Sequence, residues 1–307
     1  PIMTLPRIGQ CDNPHTKSGK LIPNVYFLEL NGGATKFKQR MPLMTSIEIQ
    51  FLLYEEVPAS AAPYKEYVAA MRKLGVEFVA HAPFMTDKNT SSEPYKPLNV
   101  DYIWPVIPGR YEKEPVKHGD ITTWAKTAPV APMKKLITVL GELGIPILTM
   151  HVTRSGALLS DDEWARYKDY LRDLLPVAKK AGVTISVENG GTTDAQISEA
   201  IALGCKTTFD PAHYFLDMRA LGKSTKDSNA LTLKAFKKFC NDVAVIHLSQ
   251  PSENMDAHMT TFDPKGALTC NEAILKHVQK NNGVRFITLE TTPDAAAITI
   301  IHKILNG

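Results

Sequence analysis

The sequence predicts an α/β chain folded as a single-domain (βα)8 barrel, the TIM-barrel architecture. Three observations predict it. Short apolar runs alternate with longer amphipathic ones, the pattern of βα units feeding a parallel sheet. A helical stretch follows nearly every apolar run, and no phosphate-binding GxGxxG or GKS/GKT loop marks an open, doubly wound sheet. The length of 307 residues accommodates one such barrel, which needs roughly 250.

The elements follow in order. Val25 to Leu30 reads as the first strand, closed by Asn31-Gly32-Gly33, and Ile47 to Leu53 as the second. A helix from about Ala62 to Leu74 ends at Gly75, as a glycine C-cap would end it. Val76 to Ala80 is the third strand and Ile145 to Met150 the fourth. Val183 to Val187, Lys206 to Phe209, Val243 to Ile246 and Arg285 to Leu289 are the fifth to eighth. Gly144, Gly182, Gly204 and Gly283 precede several of them. Helical stretches lie at Pro132 to Leu143, Asp161 to Ala181, Thr193 to Leu203, Leu231 to Asn241, Leu268 to Lys280 and Asp294 to Leu305.

Residues of about 86–130 interrupt this rhythm between the third strand and its helix. Loops this long in compact domains are usually functional or disordered. The aromatic residues Tyr95, Tyr102, Trp104, Tyr111 and Trp124 favour an ordered lid over the mouth, with a packing excursion or an oligomer contact as the plainer alternative.

Composition sets limits. The chain is 44% hydrophobic and 22% charged, with 35 basic against 32 acidic residues, so no charge excess points to nucleic acid. The lysines and arginines of the loops mix with acids and form no stripe. Cys11, Cys205, Cys240 and Cys270 have no CxxC spacing and read as reduced thiols. No apolar run reaches the roughly 18 residues of a membrane span, and no signal-peptide pattern is seen. A cytoplasmic protein without a membrane partner is expected, and a homo-oligomer is compatible with all of this.

Chemistry concentrates where the strands end. His81, His151, Glu188, Asp210, His247 and Glu290 close strands three to eight in turn, and His213 follows Asp210 by three residues. The loop after strand seven adds Asp256 and His258. Parallel strands bring their C-termini to one mouth, where barrel active sites sit. A lone histidine after a strand is usually a packing residue. Six successive strands ending in His, Asp or Glu instead form the ligand set of a divalent metal, and without one so many ionisable groups would crowd one mouth at a large desolvation cost. His15, His118, His277 and His302 fit exposed loop or helix positions.

These strand-end motifs resemble the xylose isomerase-like superfamily of sugar isomerases, epimerases, dehydratases and endonuclease IV, from about Val25 onward. The resemblance to the isomerase and epimerase branch implies that Glu188, Asp210, His247 and Glu290 hold one divalent ion (Mn, Zn, Co, Mg or Fe). It further implies that Glu188 and Glu290 also shuttle protons. His213 and the His-Ala-Pro run at 81–83 match the same branch. The endonuclease IV branch holds several zinc ions, and His81, His151, His213, Asp256 and His258 match its additional ligands. Its wording differs elsewhere. The first strand lacks Gly-x-His-x-Ser, Glu188-Asn189-Gly190 replaces Glu-Asn-Thr, and Asp210-Pro211-Ala212-His213 replaces Asp-x-Cys-His.

Two functions compete. The favoured one is a metal-dependent isomerase, epimerase or related lyase acting on a carbohydrate or polyol, by proton abstraction next to a metal-bound carbonyl. Glu188, Glu290 and His213 would be catalytic, while His81, His151, Arg154 and Trp104 would contact the substrate. The alternative is an endonuclease IV-like phosphodiesterase with a multinuclear centre acting on DNA. There His81, His151, Asp256 and His258 would be ligands rather than substrate contacts or second-layer supports.

Overall fold

The computed structural model describes residues 6–12, 34–51, 57–83, 85–87, 100–102, 130–152, 158–251, 259–281, 283–291 and 294–307. Eight parallel strands close the barrel. They are β1 (Arg7–Asp12), β2 (Ser46–Gln50), β3 (Glu77–His81), β4 (Ile147–His151), β5 (Thr184–Glu188), β6 (Lys206–Phe209), β7 (Val243–Leu248) and β8 (Phe286–Leu289). Around the ring the order is β1-β8-β7-β6-β5-β4-β3-β2, each strand paired with its neighbour in sequence and β1 closing on β8.

The described helices are α1 (Ala34–Arg40), α2 (Ala62–Lys73), α3 (Val130–Glu142), α4 (Asp161–Ala181), α5 (Asp194–Ala202), α6 (Pro211–Ala220), α7 (Thr225–Phe239), α8 (Asn271–Val278) and α9 (Ala295–Asn306). The longest, α4, starts on a capping box between Ser160 and Glu163 and stops at Gly182, whose φ of 70° is the left-handed turn that glycine adopts freely. None of the described helices is long and apolar enough to cross a membrane.

The opening strand differs from the sequence reading. Arg7–Asp12 pairs with both β2 and β8, so it occupies the first place in the ring. Val25 to Leu30 lies outside the described residues. The insertion after β3 contains a short antiparallel pair, Met85–Asp87 with Val100–Tyr102. Trp104 and Trp124 lie outside the described residues.

A period of two along each strand decides what faces the barrel interior. Val79, Ile147, Val245 and Phe286 belong to a small apolar cluster separate from the large one between sheet and helices. Two residues further along β3 and β7 come His81 and His247, and four further along β4 and β8 come His151 and Glu290. The apolar residues therefore floor the barrel and the ionisable ones sit above, towards its C-terminal mouth. A hydroxyl layer lies between: Thr149 Oγ1 is 2.9 Å from Thr208 Oγ1, which donates to Ser186 Oγ at 2.8 Å. Parallel register levels the upper row, setting Gln50 beside His81 and His151 beside Glu188.

Candidate metal centre

Each residue of the upper row is delivered by a strand end and locked by its neighbours. Asp210 ends β6 and caps α6, its Oδ1 accepting from the His213 backbone N–H at 2.9 Å. Asn189, just past β5, holds the same residue twice. Its Nδ2 donates to the Asp210 carbonyl at 2.8 Å, and its Oδ1 accepts from the Asp210 N–H at 2.7 Å. About two turns along α6, the buried Asp217 carboxylate accepts from the Gly191 N–H at 2.9 Å, tying the loop after β5 to that helix. After β7, Gln250 and Met259 pair through both backbone bonds, pinning the ends of the intervening loop.

Glu188 is the centre of the arrangement. Its Oε1 lies 3.0 Å from His247 Nδ1 and 3.5 Å from His213 Nε2. Its Oε2 lies 3.3 Å from His81 Nε2 and 3.4 Å from His151 Nε2. Glu290 Oε1 is 3.2 Å from His247 Nδ1 and accepts from Gln50 Nε2 at 3.1 Å. Asp210 Oδ2 is 3.7 Å from His213 Nε2. The cluster is withdrawn from solvent: Glu188, Asp210 and His247 have no exposed surface.

Seven residues singled out at or just beyond the strand ends thus meet in one place: His81, His151, Glu188, Asp210, His213, His247 and Glu290. Arg154, Asp256 and His258 lie outside the described residues. An eighth member was missed. Glu48 on β2 is fully buried and its Oε2 lies 2.9 Å from His247 Nε2. Its signal was available, since a carboxylate between Ile47 and Ile49 in an apolar strand must face a polar interior.

Electrostatics follows from this crowding. Burial works against a charged His247, but the carboxylates of Glu290, Glu48 and Glu188 overcome it and hold its pKa well above the ordinary imidazole value. Burial also opposes charge on His81, and Glu188 leads the carboxylates that raise it nonetheless. His151 goes the other way. Burial, reinforced by the imidazoles of His81, His213 and His247, lowers it to about 3 against the opposing pull of Glu188. Glu188 itself is held well below the usual carboxylate range, burial being outweighed by the imidazoles around it, His151 and His247 first.

The donor set fits a divalent cation. A carbonyl can only accept, so the 2.8 Å contact of His81 Nδ1 with the Ala82 carbonyl puts a proton on Nδ1. In the neutral ring this leaves the Nε2 lone pair facing Glu188 Oε2. No donor among the described residues makes a well-formed hydrogen bond to that buried oxygen. A lone pair aimed at a buried carboxylate oxygen is repulsive unless a proton or a metal ion lies between them. Three groups bring their ligand atoms within 4.8 Å of one another: His81, His151 and Glu188; Glu188, Asp210, His213 and Glu290; and Glu48, His247 and Glu290. Glu188, Asp210 and Glu290 share one of these groups, and His247 Nδ1 lies 3.0 Å from Glu188 Oε1 and 3.2 Å from Glu290 Oε1 while its Nε2 faces Glu48.

A family model described as xylose isomerase-like TIM barrel matches residues 44–303. No curated protein sequence matches the chain. Among solved structures, a D-tagatose 3-epimerase-like protein superposes with a TM-score of 0.61 at 15% identity, over 98% of each chain. Endonuclease IV from Thermus thermophilus gives 0.58 at 16% identity, again over 98% of each chain. The 3-keto-D-glucoside 4-epimerase from E. coli gives 0.57 at 14%, also over 98% of each. At these identities the likeness is one of fold.

Proposed function

Because the chain belongs to the xylose isomerase-like TIM-barrel family, we propose that it is a divalent-metal-dependent enzyme of the sugar isomerase and epimerase type, acting on a carbohydrate-like or polyol substrate at the barrel mouth. The observation that carries this reading is the convergence of two carboxylates from different strands. Glu188 Oε1 and Glu290 Oε1 both lie within about 3 Å of His247 Nδ1, at 3.0 and 3.2 Å. Asp210 and His247 complete the candidate ligand set around them. These residues would hold an ion such as Mn²⁺, Zn²⁺, Co²⁺, Mg²⁺ or Fe²⁺, which would supply Lewis acidity to polarise a carbonyl and acidify the adjacent C–H. One glutamate takes the proton from that carbon and the other returns it. His213, His151 and His81 hold substrate oxygens by hydrogen bonds, and the burial of the cluster keeps competing water out.

The test is solvent deuterium exchange at the carbon next to a ketose carbonyl, with Mn²⁺-loaded protein and a panel of ketoses. Exchange is expected in the wild type. Glu290→Gln should reduce it by about 10²–10⁴-fold, the usual worth of a positioned acid or base. Unchanged exchange in that variant would contradict the assignment.

One observation favours a second reading. Each oxygen of Glu188 faces its own pair of imidazoles, His247 and His213 on Oε1, His81 and His151 on Oε2. Glu188 belongs to two of the candidate ligand groups, so His81 and His151 could hold a second ion beside the first, which would suit a multinuclear phosphodiesterase of the endonuclease IV type. Two or more ions per chain, together with cleavage of abasic DNA and no ketose exchange, would select it.

A further inference from the structure

The assignments above give Glu48 no task, yet it is fully buried and reaches the cluster from β2, on the far side of His247 from Glu188. We propose that Glu48 is a positioning residue that fixes the ring orientation and tautomer of His247, so that Nδ1 presents its lone pair to the ion. This rests on the metal-dependent reading of the site.

An ionised carboxylate only accepts, so the 2.9 Å contact of Glu48 Oε2 with His247 Nε2 requires the proton on Nε2. A neutral ring protonated there has its one lone pair on Nδ1. That atom faces Glu188 Oε1 at 3.0 Å and Glu290 Oε1 at 3.2 Å. Two acceptors around that atom leave a place for a cation: a second proton on the ion-free ring, or a metal ion that would displace it and take the lone pair.

Glu48 is itself anchored. Thr288 Oγ1 donates to the same Oε2 at 3.4 Å, and Thr288 stands opposite His247 in the β7–β8 ladder. The three residues make a small frame spanning β2, β8 and β7. Without Glu48 the ring is free to carry its proton on Nδ1, donate to Glu188 or Glu290, and occupy the ion's place with an N–H. An anionic acceptor behind a metal-binding imidazole also raises its basicity, and loss of such partners typically costs 10–100-fold in metal affinity.

The experiment compares wild type, Glu48→Gln and Glu48→Ala on the full chain. Zn²⁺ affinity is read by calorimetry with chelator competition, and bound zinc by elemental analysis. The His247 ring nitrogens are read by ¹⁵N–¹H NMR, with and without zinc. The expected result for Glu48→Ala is a 10–100-fold weaker Zn²⁺ affinity at unchanged stoichiometry, with the His247 Nε2 proton signal lost. Glu48→Gln retains an oxygen acceptor and should keep the Nε2-protonated tautomer with a smaller affinity loss. This near-isosteric variant carries the test if the alanine variant fails to fold.

Wild-type affinity in Glu48→Ala would overturn the proposal. So would loss of a whole equivalent of zinc in both variants, since Glu48 would then be a ligand. So, too, would a zinc-loaded wild type protonated on Nδ1. A wild type that takes up no zinc would overturn the metal reading instead. In that case the Nε2 proton of the ion-free protein, present in wild type and absent in Glu48→Ala, still decides the Glu48 contact.

Discussion

Asp210 meets two demands with its two oxygens. Oδ1 caps α6 through the His213 N–H, while Oδ2 turns towards His213 Nε2 in the cluster. Substitution separates the two roles. Asparagine is as good an N-cap as aspartate, so Asp210→Asn should fold with nearly wild-type stability while losing tight metal binding. Asp210→Ala should lose both, the cap being worth about 1 kcal/mol. Denaturant unfolding and a Zn²⁺ titration check this; tight binding in either variant would remove Asp210 from the ligand set. At this scale the sequence was legible wherever a polar residue ended an apolar strand. Glu48 escaped because it lies inside β2, where the alternation of Ile47, Glu48 and Ile49, rather than an end, carries the signal.

Strands β3 to β8 were readable because each is an apolar run and most follow a helix-ending glycine. The first strand was not. Arg7–Asp12 contains one large apolar residue, Ile8, whereas Val25 to Leu30 offers a stronger run. What makes Arg7–Asp12 a barrel strand is a close approach that composition does not advertise: a Cβ on Gly9 would lie 2.0 Å from the Ser46 carbonyl oxygen. That backbone atom cannot swing away as a side chain could. Gly9→Ala should therefore destabilise the protein by about 1–3 kcal/mol, as overpacking does, and displace β2 with Glu48 on it. Urea unfolding monitored by circular dichroism measures the cost, and an unchanged midpoint would mean that β1 is held differently. Helix α6 was missed for another reason. Pro211 to Asp217 are all buried, so no 3.6-residue contrast between apolar and polar faces exists to be read.

For the whole molecule, the cluster links stability, pH and metal. With its folded pKa raised, His247 contributes stability that is complete below the ordinary imidazole value and is lost as pH rises through the folded one. Glu188, with its pKa lowered, contributes stability present above the ordinary carboxylate value and lost as pH falls through the folded one. The ion-free protein should accordingly weaken as pH rises past neutrality. On the proposed reading a metal ion would compete with the His247 proton on Nδ1, so loaded protein should gain stability over the same range. Binding at about 100 times Kd adds roughly 2.7 kcal/mol. Melting curves from pH 6 to 9, with EDTA or with Zn²⁺, should diverge as pH increases, and parallel curves would argue that His247 does not exchange a proton for the ion.

Both the chemistry and the pH response depend on the barrel mouth being a metal centre organised around Glu188, the residue whose two oxygens face four imidazoles. Metal content after reconstitution with Zn²⁺ or Mn²⁺, measured by elemental analysis on wild type and Glu188→Ala alongside circular dichroism, addresses this most directly. At least one tightly held ion per chain is expected in the wild type and none in the folded variant. A wild type that holds no ion, or a Glu188→Ala variant that holds as many as the wild type, would contradict it.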